Sequence, residues 1–490
     1  MTVLEHLRAA GVEIAADCGG NGTCGKCLVE IKDENGIVSL HNACKITYKK
    51  GMSIRAVDKN AEMSIVTHTG GENLSGKGHD NTCYPHSEGG KYGISVDLGT
   101  TTLAAVLTYY DDVGNEETIS TETAVNPQRI YGSDIISRIK AFGEGRGDEL
   151  TGLLRKETGR MIRDLSTARK GVNISGVSIA GNATMVHSLM GYDLSGLGRY
   201  PYETVVTDPI TTTIGAIFDD REGMNNIPVY IMPGTGAFIG GDIISGLFAC
   251  GLPVENHTDI FIDLGTNGEI AVSDGSVIFT SSTAAGPVFE GGSIKCGVPS
   301  TNGAICGVEL NNTFEITLET INKLPPTGLC GTGVIEMAAE LLKNEIISKD
   351  GYLEEDFTVA KAPDGKRIVF SRDDVRQVQL AKAAIRAGID ILLDKIGRYY
   401  NDVSNVYLAG GFGYHMDPAK AAAIGMIPEE LVKKTVAPGN TSLAGAKRFL
   451  NGDIGKNLAR IERIRNNCRY VNLAAEKDFE EKYIKELNFP

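Results

Sequence analysis

Ser95–Thr102 reads SVDLGTTT, and further along the chain Phe261–Gly268 reads FIDLGTNG. In each, an apolar run carries an aspartate, Asp97 or Asp263, to its end, and a glycine, Gly99 or Gly265, then turns the backbone. Short apolar runs that stop at glycine read as buried strands of an α/β sheet. Thr100, Thr101 and Thr102 follow the first glycine, and Thr266, Asn267 and Gly268 follow the second. Such turns gather N–H and hydroxyl donors and can hold phosphate oxygens. One copy is common at a strand end, but two imply similar lobes facing each other across a cleft. Asp97 is expected to hold a hydrated Mg2+, which favours a carboxylate, retained water and nucleotide phosphates. Asp263 repeats that role in the second copy.

Outward from these turns, VSIAG (Val177–Gly181), VYIM (Val229–Met232) and NVYLAGG (Asn405–Gly411) alternate with amphipathic helical stretches, extending the α/β pattern. The last strand runs into a third glycine turn, where Gly410, Gly411 and Gly413 would let a flat adenine and ribose approach the backbone. There is no G-x4-G-K-[ST] phosphate loop. GGDIISGLFACG (Gly240–Gly251) and GNTSLAGAKRFL (Gly439–Leu450) have the small residues expected where two helices cross at a hinge between lobes. Nucleotide hydrolysis needs a water aligned with the γ-phosphate. Asn267 and Glu269 are the candidate catalytic residues, the alternative being surface positions of the turn.

The N-terminal stretch carries a different chemistry. DCGGNGTCGKC (Asp17–Cys27) supplies Cys18, Cys24 and Cys27, and Cys44 completes the spacing C-x5-C-x2-C-x16-C. Four thiolates suit a 2Fe-2S cluster, although plant-type ferredoxins space the first pair one residue closer. Gly19, Gly20, Gly22 and Gly25 allow the backbone to wrap closely and aim N–H groups at sulfur. Structural zinc and a disulfide pair are the alternatives; zinc usually shows two C-x2-C knuckles, and Cys24 with Cys27 makes one. Around this loop an amphipathic helix is expected over Met1–Ile14, with Leu4, Leu7 and Ala10 on one side. Strands are expected at Leu28–Lys32 and Met52–Val57, with a turn at Glu34–Gly36.

Composition sets the outer bounds. At 490 residues the chain exceeds one ordinary core. Its 42% hydrophobic and 22% charged content is that of globular domains. A net charge of −14 argues against broad nucleic-acid binding and against attraction to anionic membranes. The most apolar stretch, Ile227–Cys250, is interrupted by Pro233, by glycines and by Asp242, so no membrane span is expected. Clustered cysteines beside glycines, and no apolar leader, point to the cytoplasm. Residues 1–57 are thus expected to form the metal-binding module, 58–90, poor in aliphatic side chains, a flexible linker, and 91–490 the phosphate-binding α/β domain. The charged helical end from Asp453 is expected to be a peripheral cap.

The cysteine loop, both phosphate turns, NPQRIYGSDIISRI (Asn126–Ile139), IAGNATM (Ile179–Met185), GLCGTGVIEM (Gly328–Met337), YLAGGFG (Tyr407–Gly413) and GNTSLAGA (Gly439–Ala446) occur in sequence along the chain. Taken together, and over nearly its whole length, the chain resembles the reductive activators of corrinoid-dependent proteins. The resemblance implies an α+β ferredoxin-like (β-grasp) module followed by an α/β actin-like ATPase with two similar lobes. It implies an enzyme that uses ATP with Mg2+ to move an electron from a 2Fe-2S cluster to Co(II) of a corrinoid protein, giving Co(I). The implied partners are a transiently bound corrinoid protein and an upstream donor such as a ferredoxin or reductase, and a homodimer is left open. Family ferredoxins open with a β-hairpin; here a helix comes first, so an incomplete sheet or a truncated start is expected. An activator of a low-potential radical dehydratase or reductase, and a nucleotide-switched redox sensor, are the competing readings.

Overall fold

The computed structural model describes residues 1–9, 20, 27–32, 38–49, 52–56, 90–132, 134–169, 171–218, 223–311, 313–410 and 416–490. The chain begins with helix α1 (Val3–Ala9). Thr2 and Glu5 cap it reciprocally: the Thr2 amide donates to Glu5 Oε2 at 2.6 Å and the Glu5 amide to Thr2 Oγ1 at 3.2 Å. Val3, Leu4 and Leu7 point from α1 into a small core with Cys27, Val29, Ile31 and Ala43. That core lies on strands β1 (Leu28–Lys32), β2 (Val38–Asn42) and β3 (Ser53–Ala56), an antiparallel sheet in the order β2-β1-β3. Strands β1 and β3 answer the expected strands at 28–32 and 52–57, with residue 57 outside the described residues. The expected turn at 34–36, the helix beyond residue 9 and most of the stretch 58–90 lie outside the described residues.

The first lobe is a six-stranded sheet made of β4 (Lys91–Leu98), β5 (Thr102–Tyr110), β6 (Glu116–Val125), β7 (Ile174–Gly181), β8 (Ile210–Thr213) and β9 (Pro228–Ile231). Its order is β6-β5-β4-β7-β9-β8, with β4 antiparallel to β5 and parallel to β7. Ile94, Val96 and Leu98 of β4 are fully buried, as continuous apolar strands covered on both faces should be. Helices α2 (Ile135–Ala141), α3 (Gly147–Thr167), α4 (Ala183–Met190) and α5 (Ile214–Ile217) belong to this lobe. Helix α6 (Gly241–Cys250) leads out of it.

The second lobe repeats the pattern. Strands β10 (Thr258–Leu264), β11 (Gly268–Ser273) and β12 (Ile278–Thr283) form an antiparallel meander. An insertion follows, with β13 (Ala304–Leu310), β14 (Ile316–Thr320), β15 (Gly328–Leu329), helix α7 (Gly331–Lys343), the pair β16 (Phe357–Lys361) and β17 (Arg367–Phe370), and helix α8 (Arg372–Lys395). Strand β18 (Val403–Ala409) returns parallel to β10; helix α9 (Pro418–Ala423), strand β19 (Thr435–Gly439) and helix α10 (Thr441–Leu450) come next. The order β12-β11-β10-β18-β19 thus matches β6-β5-β4-β7-β9 strand for strand, as the twin turns predict.

The helix after the last strand of each half crosses its counterpart. A Cβ on Gly445 of α10 would lie 2.0 Å from the Ser245 carbonyl oxygen of α6, so nothing larger than glycine fits there. Ser245 Oγ donates to the Ser442 carbonyl at 2.7 Å across the crossing. The end of the chain departs from expectation. Helix α11 (Ile454–Asn467) packs on α6, but β20 (Cys468–Tyr470) then pairs in parallel with β12 as the edge of the second-lobe sheet, and α12 (Phe479–Lys485) lies against α8. This segment completes the second lobe instead of capping it. Among the described residues, no helix is long and apolar enough to cross a membrane.

Candidate nucleotide site and iron–sulfur centre

The first turn, between β4 and β5, is fastened from behind. Asn126 Nδ2 donates to the Gly99 carbonyl at 2.8 Å, the Asn126 amide to the Thr101 carbonyl at 2.9 Å, and Arg138 Nη2 to the Thr100 carbonyl. Asn182 Nδ2 donates to Thr100 Oγ1 at 2.9 Å. With these carbonyls occupied, an anion at the turn would meet amides and hydroxyls. Arg138 is 1% exposed, and desolvation lowers its pKa to about 10, so it stays a cation beside the turn. Thr102 opens β5.

Asp97 does not hang free at the end of β4. Its Oδ1 accepts from Ser442 Oγ at 2.6 Å and its Oδ2 from Asn440 Nδ2 at 2.8 Å. Asn440 also caps α10, its side chain accepting from the Leu443 amide at 2.9 Å. The first turn is thereby tied to the crossing helix.

In the second turn, the Gly265 amide donates to the Asn267 carbonyl at 2.9 Å. Thr266 Oγ1 donates to Glu290 Oε2 at 2.7 Å, and Ser282 Oγ to Glu269 Oε1 at 3.0 Å. Gly268 opens β11 directly opposite Leu264. Gly410, at φ +112°, ends the strand beside them; a Cβ there would meet the Leu264 carbonyl oxygen at 2.3 Å. Gly411 and Gly413 lie outside the described residues.

The two turns bring carboxylates together. Asp97, Asp242, Asp263, Glu269 and Glu290 each keep some exposed surface, yet enclosure by protein is the largest influence raising the pKa of each. Asp263 is pushed up to about 8, by enclosure and then by the charges of Asp242, Asp97 and Glu290. Asp242 rises to about 7, Asp97 adding to enclosure. Glu269 is raised well above the carboxylate range, Asp242 and Asp263 being its repelling neighbours. Such a cluster invites a cation. Among the described residues, no three His, Cys, Asp or Glu side chains converge closely enough to hold a metal directly.

Asp242 was not singled out from sequence. An acidic residue in the first turn of a helix ordinarily answers the helix dipole, and Asp242 Oδ1 does accept from the Ile243 amide at 2.9 Å. The available signal was its isolation as a charge within the apolar stretch 227–250. Asn440, Ser442, Asn126 and Arg138 were inside quoted motifs, but their partners are contributed by distant strands.

At the other centre, Cys27 enters β1 and Cys44 sits in the 3-10 turn after β2. The antiparallel register Leu28↔Asn42 sets them side by side. Their Sγ atoms are 3.2 Å apart with no disulfide between them, and the Cys44 amide donates to Cys27 Sγ at 3.5 Å. Two unbridged sulfurs this close, with an amide aimed at one, suit ligands of one iron. Gly20 takes φ +100°. Cys18, Cys24, Gly19, Gly22 and Gly25 lie outside the described residues.

Comparison with known families falls on these same regions. Residues 1–49 match the 2Fe-2S iron-sulfur cluster binding domain, 92–255 the RACo middle region, and 257–490 the C-terminal domain of RACo, the ASKHA domain. The chain belongs to the RACo family. A RACo-family chain carries a 2Fe-2S domain ahead of an actin-like nucleotide-binding domain, and it is an enzyme. The chain is 28% identical to the corrinoid activation enzyme RamQ of Eubacterium limosum over 99% of its own length and 96% of that protein. It is 26% identical to the [Co(II) methylated amine-specific corrinoid protein] reductase of Methanosarcina barkeri, over 73% of this chain and 70% of that one. The solved reductive activator for corrinoid, iron-sulfur protein shares the RACo fold at TM-score 0.71 and 24% identity, covering 100% of this chain and 96% of the other.

Proposed function

We propose that the chain is an ATP-dependent reductive activator of a corrinoid protein, passing one electron from a 2Fe-2S cluster to Co(II) to give Co(I). The observation that carries this reading is one chain in which paired cysteines of an iron–sulfur module accompany two phosphate turns gathered round a carboxylate cluster. Residues 1–57 form the cluster domain, 58–90 the linker and 91–490 the ATPase. Cys18, Cys24, Cys27 and Cys44 hold the cluster, which when bound supplies a single electron.

In the ATPase, Gly99, Thr100, Thr101 and Thr102 face Gly265, Thr266, Asn267 and Gly268 across the triphosphate, and Gly410, Gly411 and Gly413 receive the nucleoside. Asp97 and Asp263 hold Mg2+ through its water, relieving the mutual repulsion of the cluster. Asn267 and Glu269 align the attacking water. Reduction to Co(I) is uphill, so nucleotide must act by favouring one conformation of docked activator over another. The crossing of α6 and α10 is where the lobes can hinge, and Asn440 and Ser442 link that crossing to Asp97. The activator works in the cytoplasm, draws electrons from a ferredoxin or reductase, and can pair as a homodimer.

The test is the visible spectrum of a Co(II) corrinoid protein mixed with this chain, a reductant and ATP. The Co(I) band should grow with the intact chain and fail with Cys44→Ala, which should also lose the 2Fe-2S absorbance. No Co(I) band with any cognate corrinoid protein contradicts the function, and an unchanged cluster spectrum in Cys44→Ala contradicts the ligand set.

A further inference from the structure

Arg8 stands on α1, one residue beyond Leu7 of the small core, and its guanidinium carbon lies 5.6 Å from the centre of the Tyr131 ring in the first lobe. Its Nε and Nη2 are sealed from solvent and have no hydrogen-bond partner among the described residues. A guanidinium is desolvated this way only where something else favours its charge. The face of an aromatic ring is one such group, and an anion is another. Leu7, the neighbour of Arg8 on α1, packs in the same small core as Cys27, a ligand of the proposed cluster.

Tyr131 closes the 3-10 turn Pro127–Tyr131 that begins at Asn126. The Tyr131 hydroxyl donates to Glu149, which Arg146 also holds at 2.7 Å. From the same turn, Asn126 reaches the Gly99 carbonyl, and Gln128 Nε2 donates to the Leu150 carbonyl at 2.9 Å. Arg138 Nη1 donates to Gln128 Oε1 at 3.4 Å while its Nη2 holds Thr100. Contacts therefore lead from Arg8, on the helix that shares its small core with Cys27, through Tyr131 and the 126–131 turn to the carbonyls of the first phosphate turn.

We infer that Arg8 and Tyr131 are the seat on which the iron–sulfur module docks against the nucleotide lobe, and that the seat couples the oxidation state of the cluster to nucleotide occupancy. The inference rests on the proposed function, since it needs both a bound cluster and a bound nucleotide. Reduction adds negative charge to the module that carries Arg8; a shift of the 126–131 turn on nucleotide binding moves the ring beneath it. Coupling of this kind is reciprocal: nucleotide must shift the midpoint of the cluster, and reduction must change nucleotide affinity by the same factor.

The experiment is a redox titration of the full cluster-loaded chain, followed by its visible absorption, without nucleotide and with a saturating non-hydrolysable ATP analogue and Mg2+. The two midpoints should differ. Analogue affinity should then differ between the oxidised and reduced chain, on the order of fivefold or more. Arg8→Gln and Tyr131→Leu should each merge the midpoints, and Tyr131→Phe, which keeps the ring, should keep them apart. Equal midpoints in the parent chain, or a separation that survives both Arg8→Gln and Tyr131→Leu, overturns the inference. If Arg8→Gln does not assemble a cluster, Tyr131→Leu in the other domain decides, and if Tyr131→Leu does not bind the analogue, Arg8→Gln decides. A parent chain without cluster absorbance or analogue binding contradicts the proposed function instead, so the two failures are told apart.

Discussion

Asp263 and Asp242 hold their protons to about pH 8 and 7, where a free aspartate would have lost them near pH 4. Both folded pKa values are raised, so between those limits the folded chain binds more protons than the unfolded one, and stability falls as pH rises. The metal-free, nucleotide-free chain should therefore melt lower at pH 8 than at pH 6, by about 2–4 °C for each kcal/mol these carboxyls withdraw. Added Mg2+ should recover most of the loss, because a cation takes over from the proton. A calorimetric scan at the two pH values, with and without Mg2+, checks this; a melting temperature that rises from pH 6 to 8 without metal contradicts it. At this scale the sequence was legible where chemistry is local. Asp97 and Asp263 announce themselves by ending strands before glycine, whereas Asp242 looks like any acid at a helix start. Arg138 was visible only as a member of a motif, because its partner Thr100 belongs to another element.

At the level of elements, Gly445 separates two effects of opposite sign. In an ordinary helix interior, replacing glycine by alanine stabilises by about 1 kcal/mol. Here the added Cβ would sit 2.0 Å from the backbone oxygen of Ser245, which cannot step aside as a side-chain end could. Overpacking typically costs about 1–3 kcal/mol, so Gly445→Ala should be net destabilising and should slow ATP turnover by displacing Asn440 and Ser442 from Asp97. Thermal melts and phosphate release measure both; a stabilised, fully active variant would show that α6 and α10 do not cross at this point. The strands that read best from sequence, β4, β7 and β10, are largely apolar runs with long buried stretches. Strand β20 could not be read that way. Its three residues, Cys468, Arg469 and Tyr470, follow a charged helix and become a strand only because the edge of β12 is there to pair with.

Across the whole molecule, two cores of very different size must cooperate. The ATPase lobes have extensive cores, but the N-terminal module is held by a handful of side chains such as Val3, Leu4, Val29 and Ile31. A unit this small normally needs a metal or another staple, which the cysteine loop can provide. The fusion of that module to a hinged, two-lobed ATPase carries the central claim that nucleotide drives an otherwise unfavourable reduction. The direct measurement is the amount of Co(I) formed on a corrinoid protein by the cluster-loaded chain, with reductant held at one fixed potential, as ATP and Mg2+ are added. The yield should rise steeply with ATP and stay at the nucleotide-free level for Asp97→Asn, whose cluster absorbance is unchanged. Co(I) formed to the same extent without ATP, or undiminished in Asp97→Asn, would contradict the account.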